Sequence, residues 1–250
     1  MRLISLLILT ILLSCKTTQE NKKQINKTDT TEIEKSKISS VDNQNAETEI
    51  IETFIDSLNI GLKGKCKVEL IKHRIYEDYF VIIKFYVKGR YTLKDPETWI
   101  NKNTYYYETN AMNSFEPNIS DFNNDNFNDI TFISATAARG ANEVRRLFIY
   151  DNYMQELISI VNSEDYPNML YNSELKCIDA FLVHGGCSTV FLKIKGDSLK
   201  MFASVELSDG LSVTTYDKNG KAKIIKEDKT NNLFYVRFKN YNPLKEYDNN

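Results

Sequence analysis

The sequence predicts an all-β fold, mostly antiparallel, propeller-like or sandwich-like in arrangement and entered through one short helix. Three observations lead there. Short runs rich in β-branched and aromatic residues follow one another through the second half of the chain. Turn chemistry separates them, with Asn219-Gly220 as a strong signal for a type I′ hairpin and Gly196-Asp197 and Asp209-Gly210 as similar but weaker ones. No helical pattern of about 10 to 15 residues intervenes, as parallel βαβ units would require.

In chain order, the helix comes first. Ile51, Phe54, Ile55, Leu58 and Leu62 recur at helical spacing. Val68 and Leu70 then alternate with charged residues, and Tyr79–Val87 is a β-branched and aromatic run. Further strands are expected at Thr104–Thr109, Ile130–Ser134, Val144–Tyr150, Leu157–Val161, Leu175–Val183, Thr189–Ile194, Leu199–Glu206, Leu211–Tyr216, Ala222–Lys226 and Phe234–Phe238. The four prolines all fall outside these strands, where their missing N–H does no harm.

The N-terminus carries an address. Arg2 precedes an apolar run from Leu3 to Leu13, which ends in Leu12-Leu13-Ser14-Cys15. A basic start, a short apolar core and a small residue before the cut describe a secretory signal. The run is too short to span a bilayer as a helix. Its ending resembles the bacterial lipobox. That resemblance implies removal of residues 1–14 and a lipid on Cys15, hence a membrane anchor. Lys16 in place of an acidic residue favours an outer-membrane lipoprotein of the cell envelope, with the leaflet left open. From residue 15 to 46 the chain is polar, without a single aromatic, and reads as a disordered tether. The first aromatic is Phe54, so residues 47–250 form the folded domain, one domain in size.

The net charge of −2 gives no electrostatic basis for nucleic-acid binding. The most informative stretch is Asp121-Phe-Asn-Asn-Asp-Asn-Phe-Asn-Asp129. Its oxygen-bearing side chains at Asp121, Asn123, Asp125 and Asp129, with the Phe127 carbonyl, suit Ca²⁺, a hard cation that takes six to eight oxygen ligands. Three carboxylates this close repel one another without a cation. Asn126 occupies the sixth position, where such loops need a left-handed backbone that Asn tolerates. An EF-hand is excluded, because position twelve is Phe132 and a strand, not a helix, follows. The other reading of the stretch is a solvated Asx-rich turn.

The segment Asp121–Ile133 resembles the calcium loop of the FG-GAP/VCBS class, with Asn126 in place of the usual Gly. The small-residue loop Ala137–Asn142 and the strand ending Leu147-Phe-Ile-Tyr-Asp151 extend the likeness to periplasmic secretion-system immunity proteins that inhibit peptidoglycan hydrolases. The resemblance implies a β-rich, calcium-binding protein whose partner is an envelope protein, a peptidoglycan hydrolase among them. The S-G-x-x-Y signature of lysozyme inhibitors is absent, so the inhibitory activity does not carry over residue by residue.

Catalytic chemistry is thin. His184 lies near Cys187 and Ser188 and could be drawn as a nucleophile–base pair, but Gly185-Gly186 marks a turn. His73 and His184 alone do not make a zinc site. Cys66, Cys177 and Cys187 allow at most one internal disulfide, and spacing does not choose the pair. Arg139, Asn142, Arg145 and Arg146 follow the metal loop and form a candidate partner-binding edge, or else a solvated basic patch. The expectation is a lipid-anchored, calcium-binding envelope protein that acts by binding and has no enzymatic activity. The alternatives are a cell-wall or glycan-processing enzyme and a purely structural envelope lipoprotein.

Overall fold

The computed structural model describes residues 48–109, 114–231 and 234–248. The expected signal segment, Cys15 and the tether lie outside the described residues. Within them the chain is nearly all β, with two one-turn 3₁₀ segments, and every strand pairs antiparallel with at least one of its sequence neighbours. The first sheet is a meander of β1 (Thr48–Asp56), β2 (Cys66–Ile75), β3 (Asp78–Gly89) and β4 (Thr98–Thr109). The second is β5 (Asn118–Ser120), β6 (Asp129–Ala137), β7 (Asn142–Asp151) and β8 (Glu156–Ser159). The third runs from β9 (Leu170–Asn172) through β10 (Cys177–Val183), β11 (Cys187–Lys195), β12 (Ser198–Leu207) and β13 (Leu211–Tyr216) to β14 (Ala222–Asp228). A hairpin of β15 (Phe238–Tyr241) and β16 (Leu244–Glu246) closes the chain.

The sheets stack face on face, the sandwich-like arrangement. Strand periodicity shows how. In β7, Phe148 and Tyr150 point into the core shared with the first sheet, where Val68, Leu70, Ile83 and Phe85 meet them. Leu147 and Ile149, one residue out of phase, point into the core shared with the third sheet, beside Ile178, Val190 and Leu192. The second sheet is therefore buried on both faces, which is why Ile130–Ile133 and Leu147–Tyr150 read as unbroken apolar runs. The third sheet repeats the device. Ile178 and Ala180 face the second sheet, while Cys177 and Phe181 face a last core with Phe238 and Tyr241. Each fully buried Phe contributes roughly 1.5–3 kcal/mol.

Three expectations are corrected. The short N-terminal helix does not exist: Thr48–Asp56 is strand β1, registered on β2 from Thr48↔Ile75 to Asp56↔Val68. Its β-branched residues favour the pleat. An irregularity between Ile50 and Glu52 breaks strict alternation and mimics helical spacing. Asp56 then ends the strand by accepting the Leu58, Asn59 and Ile60 N–H groups. The Asn219-Gly220 hairpin is in place, but its turn is not the two-residue type I′. Asp217 Oδ1 accepts from the Asn219 and Lys221 N–H groups, and Gly220 supplies the left-handed residue at φ 80°. In the run expected at Phe234–Phe238, only Phe238 is in a strand.

Candidate functional site

The loop expected to bind calcium connects β5 to β6 across the middle of the stack. Its two aromatics fix it from both sides. Phe122 is buried in the core between the second and third sheets, and Phe127 packs on the core between the first and second, its ring 5.6 Å from that of Tyr150. Asn124 (φ 61°) and Asn126 (φ 72°) take the left-handed backbone that lets the chain curl, Asn126 at the sixth position where it is needed. Asn128 pins the loop to the β1–β2 connection: its carbonyl accepts the Gly61 N–H at 2.8 Å and its amide donates to the Asn59 carbonyl at 3.0 Å. A Cβ on Gly61 would stand 3.0 Å from Cys66 Sγ and from the Tyr150 ring, at φ +55°, so this contact requires glycine.

The carboxylates divide the work. Asp121 accepts the Asp125 and Asn126 N–H groups, at 3.1 and 2.8 Å. Asp125 accepts the Phe127 N–H at 2.9 Å and the Asn123 amide at 2.9 Å, while Asn123 Oδ1 accepts the Asp125 N–H at 3.0 Å. Asp129 is fully buried, and both its oxygens serve the backbone: one accepts the Phe122 N–H at 2.8 Å, the other the Tyr150 N–H at 2.9 Å. Burial pushes its carboxyl up to about 7 against the pull of those N–H groups, with Asp125 and Asp121 adding like-charge repulsion. The donor set fits a hard cation in kind, being oxygen throughout on a loop of the right handedness. Yet among the described residues no group of three or more His, Cys, Asp or Glu side chains is arranged to hold a metal ion. Asp129 acts as the buried brace between β5, the loop and β7.

The four candidate partner-binding residues separate. Arg139 is exposed in a one-turn 3₁₀ segment, Ala138–Gly140, where Ala138 (φ 48°) and Arg139 (φ 58°) are both left-handed. Asn142 is a clamp between the second and third sheets: its amide donates to the Val183 carbonyl at 2.9 Å, and its oxygen accepts the Val183 N–H at 2.8 Å. Arg145 pairs with Glu143 at 2.5 Å and donates to the Glu116 carbonyl at 2.8 Å. Arg146, on the opposite face of β7, pairs with Glu164 at 2.9 Å and stacks 3.7 Å from the Tyr107 ring centroid. Arg139 alone of the four presents its side chain outward.

His184 and Cys187 do not address each other. His184 Nδ1 accepts the Gly186 N–H at 3.3 Å, its Nε2 lies 3.6 Å from Glu206, and the Cys187 thiol is directed at the Val236 carbonyl, 3.9 Å away. All three described cysteines are free and buried. Cys66 lies in the first core, Cys177 and Cys187 in the last. Burial raises each thiol, Cys177 to about 12.

Sequence reasoning passed over one polar centre. Asp179, fully buried on β10, accepts from Arg237 Nε at 2.7 Å and from the Asn172 amide at 2.9 Å, and it also binds Tyr247. These bonds tie the C-terminal hairpin to the third sheet. A lone Asp within the run Leu175–Val183 was the available signal.

No family model matches this chain, and no curated protein does. One solved structure, described as a Xanthomonas type IV secretion system related protein, is similar at a TM-score of 0.40 and 9% identity, over 73% of this chain and 95% of that one. A likeness this distant carries no argument about function.

Proposed function

We propose that this chain is a lipid-anchored protein of the cell envelope that acts by binding another envelope protein, a cell-wall hydrolase being the candidate class. Loop 138–141 carries the reading. Two successive non-glycine residues in the left-handed region are strained, and such strain collects at sites of recognition. The loop is exposed while its roots are clamped, by Asn142 to Val183 and by Asn168, whose amide donates to the Ala141 carbonyl at 2.9 Å. A tip held rigid in this way loses little entropy on association.

In this reading calcium is held by Asp121, Asn123, Asp125 and Asp129 through side chains and by Phe127 through its carbonyl. When bound, it supplies the positive charge that the crowded carboxylates lack. Calcium at a hundredfold excess over its Kd is expected to raise stability by about 2.7 kcal/mol. Asp125→Ala should abolish most of that gain. Identical melting curves in calcium and in chelator would refute the metal assignment.

The test of function is cross-linking in the intact envelope with wild type and Arg139→Ala. Loss of this exposed side chain should weaken partner capture by about 1–2 kcal/mol in affinity and move stability by no more than about 0.5 kcal/mol. Equal capture by both proteins, or degradation of peptidoglycan by the purified chain, would overturn the binding reading.

A further inference from the structure

We infer that one end of the first sheet, built from the β1–β2 and β3–β4 loops, docks on an anionic lipid bilayer. The two loops leave the sheet together: Cys66 pairs with Val87, and the Lys88 N–H donates to the Lys65 carbonyl at 2.8 Å. The β3–β4 loop projects Leu93, 95% exposed, and Tyr91, 73% exposed, between Arg90 and Lys94. The β1–β2 loop shows Leu58, 71% exposed, and Leu62, 41% exposed, beside Lys63 and Lys65. Exposed apolar side chains gathered at one end mark a surface that something covers.

Charge selects what covers it. Residues 56–65 and 88–97 hold five Lys or Arg against three acidic residues, in a chain whose net charge is −2. Asp56 is turned onto the Leu58, Asn59 and Ile60 N–H groups, Asp95 onto the Thr92 N–H at 2.8 Å, and Glu97 lies 3.8 Å from Lys65. On the adjoining metal loop, Asp121 and Asp125 are turned onto their own backbone N–H groups. Trp99, the single tryptophan of the chain, sits half-buried at the base of the β3–β4 loop. The Lys67 and Lys88 ammonium groups are 5.6 and 6.0 Å from its ring. Apolar tips, a lysine and arginine rim, and an indole at the boundary are the chemistry of a bilayer interface. There the tips enter the headgroup region and the cations meet anionic phosphates. A protein-binding face would be depleted in lysine. The contact does not depend on a lipid at Cys15.

Trp99 makes the idea testable on the full chain, because its emission reports this end alone, whatever the N-terminal segment does. Vesicles of phosphatidylcholine with phosphatidylglycerol and a brominated-lipid quencher should blue-shift and quench Trp99. Pure phosphatidylcholine vesicles, or high salt, should do so several-fold less. The double variant Tyr91→Asp with Leu93→Asp should lose the quenching and keep the wild-type melting temperature. Vesicle association without Trp99 quenching, or equal quenching in the double variant, would overturn the inference. So would a Trp99 response to a soluble anionic polysaccharide but not to vesicles, which would give this face to a glycan.

Discussion

Asp179→Ala is expected to destabilise the domain by about 3–5 kcal/mol, the range for breaking a buried ion pair from one side. The cause is the partner left behind. Arg237 keeps only 18% of its side chain exposed and would retain its charge with its carboxylate gone. Asn172 and Tyr247 would lose the same acceptor. Because Arg237 lies just ahead of β15, the hairpin that brings Phe238 and Tyr241 into the core with Phe191 loses its tie to β10. Arg237→Ala should cost a comparable amount, since it strands the Asp179 carboxylate. Removing both should cost well under the sum of the two, because neither charge is then left alone. Urea midpoints for the two single variants and the double one measure this directly. Single costs below about 1 kcal/mol, or strict additivity, would show that the network contributes little.

That centre also shows where sequence reading stops. Strand positions were legible because period-two patterning and turn residues are local. Gly196-Asp197 does connect β11 to β12 as a two-residue turn, and the run ahead of Tyr150 is the two-faced strand its apolar pattern requires. Long-range polar bonds were not legible. Asp179 meets Arg237 58 residues away, Asn142 meets Val183 41 residues away, and Asp129 meets the Tyr150 N–H 21 residues away. No local pattern encodes such partners, so Asn142 read as a surface group when it holds the second and third sheets together, and Arg145 when it is tied to Glu143 and the Glu116 carbonyl. The missing helix has a related cause. β1 is an edge strand with Ile50, Ile51 and Ile55 exposed, so burial did not enforce the alternation that would have identified it. In the loop between β5 and β6 the left-handed Asn126 was readable from position alone, whereas the burial of Asp129 depends on β7 closing over it.

Asp129 leads to the last expected result: in chelator, stability should fall as the pH rises from about 4 to 8. Its folded carboxyl is pushed up to about 7 from an ordinary value of 3.8, so the fold holds its proton more tightly than the unfolded chain does. The stability linked to that proton is fully present below the unfolded value and is lost as the pH rises through about 7. The difference between 3.8 and about 7, at about 1.4 kcal/mol for each tenfold change in proton affinity, sets an upper bound on the order of 4 kcal/mol, less whatever local relaxation recovers. Asp129→Asn cannot ionise and should show a flatter profile. The two histidines are present in both proteins, so the difference between the profiles isolates Asp129. The variant should also be less stable at its best pH, because one amide oxygen can serve only one of the Phe122 and Tyr150 N–H groups while its NH₂ faces the other. Leaving a buried N–H unserved costs about 1–3 kcal/mol. Calcium should oppose the wild-type slope, because a cation favours the ionised carboxylate and so shifts its stabilisation toward higher pH. Urea midpoints across this range in chelator, for wild type and Asp129→Asn, decide the matter. A flat wild-type profile, or the same slope in both proteins, would mean that Asp129 stays ionised in the fold and serves only as a carboxylate brace.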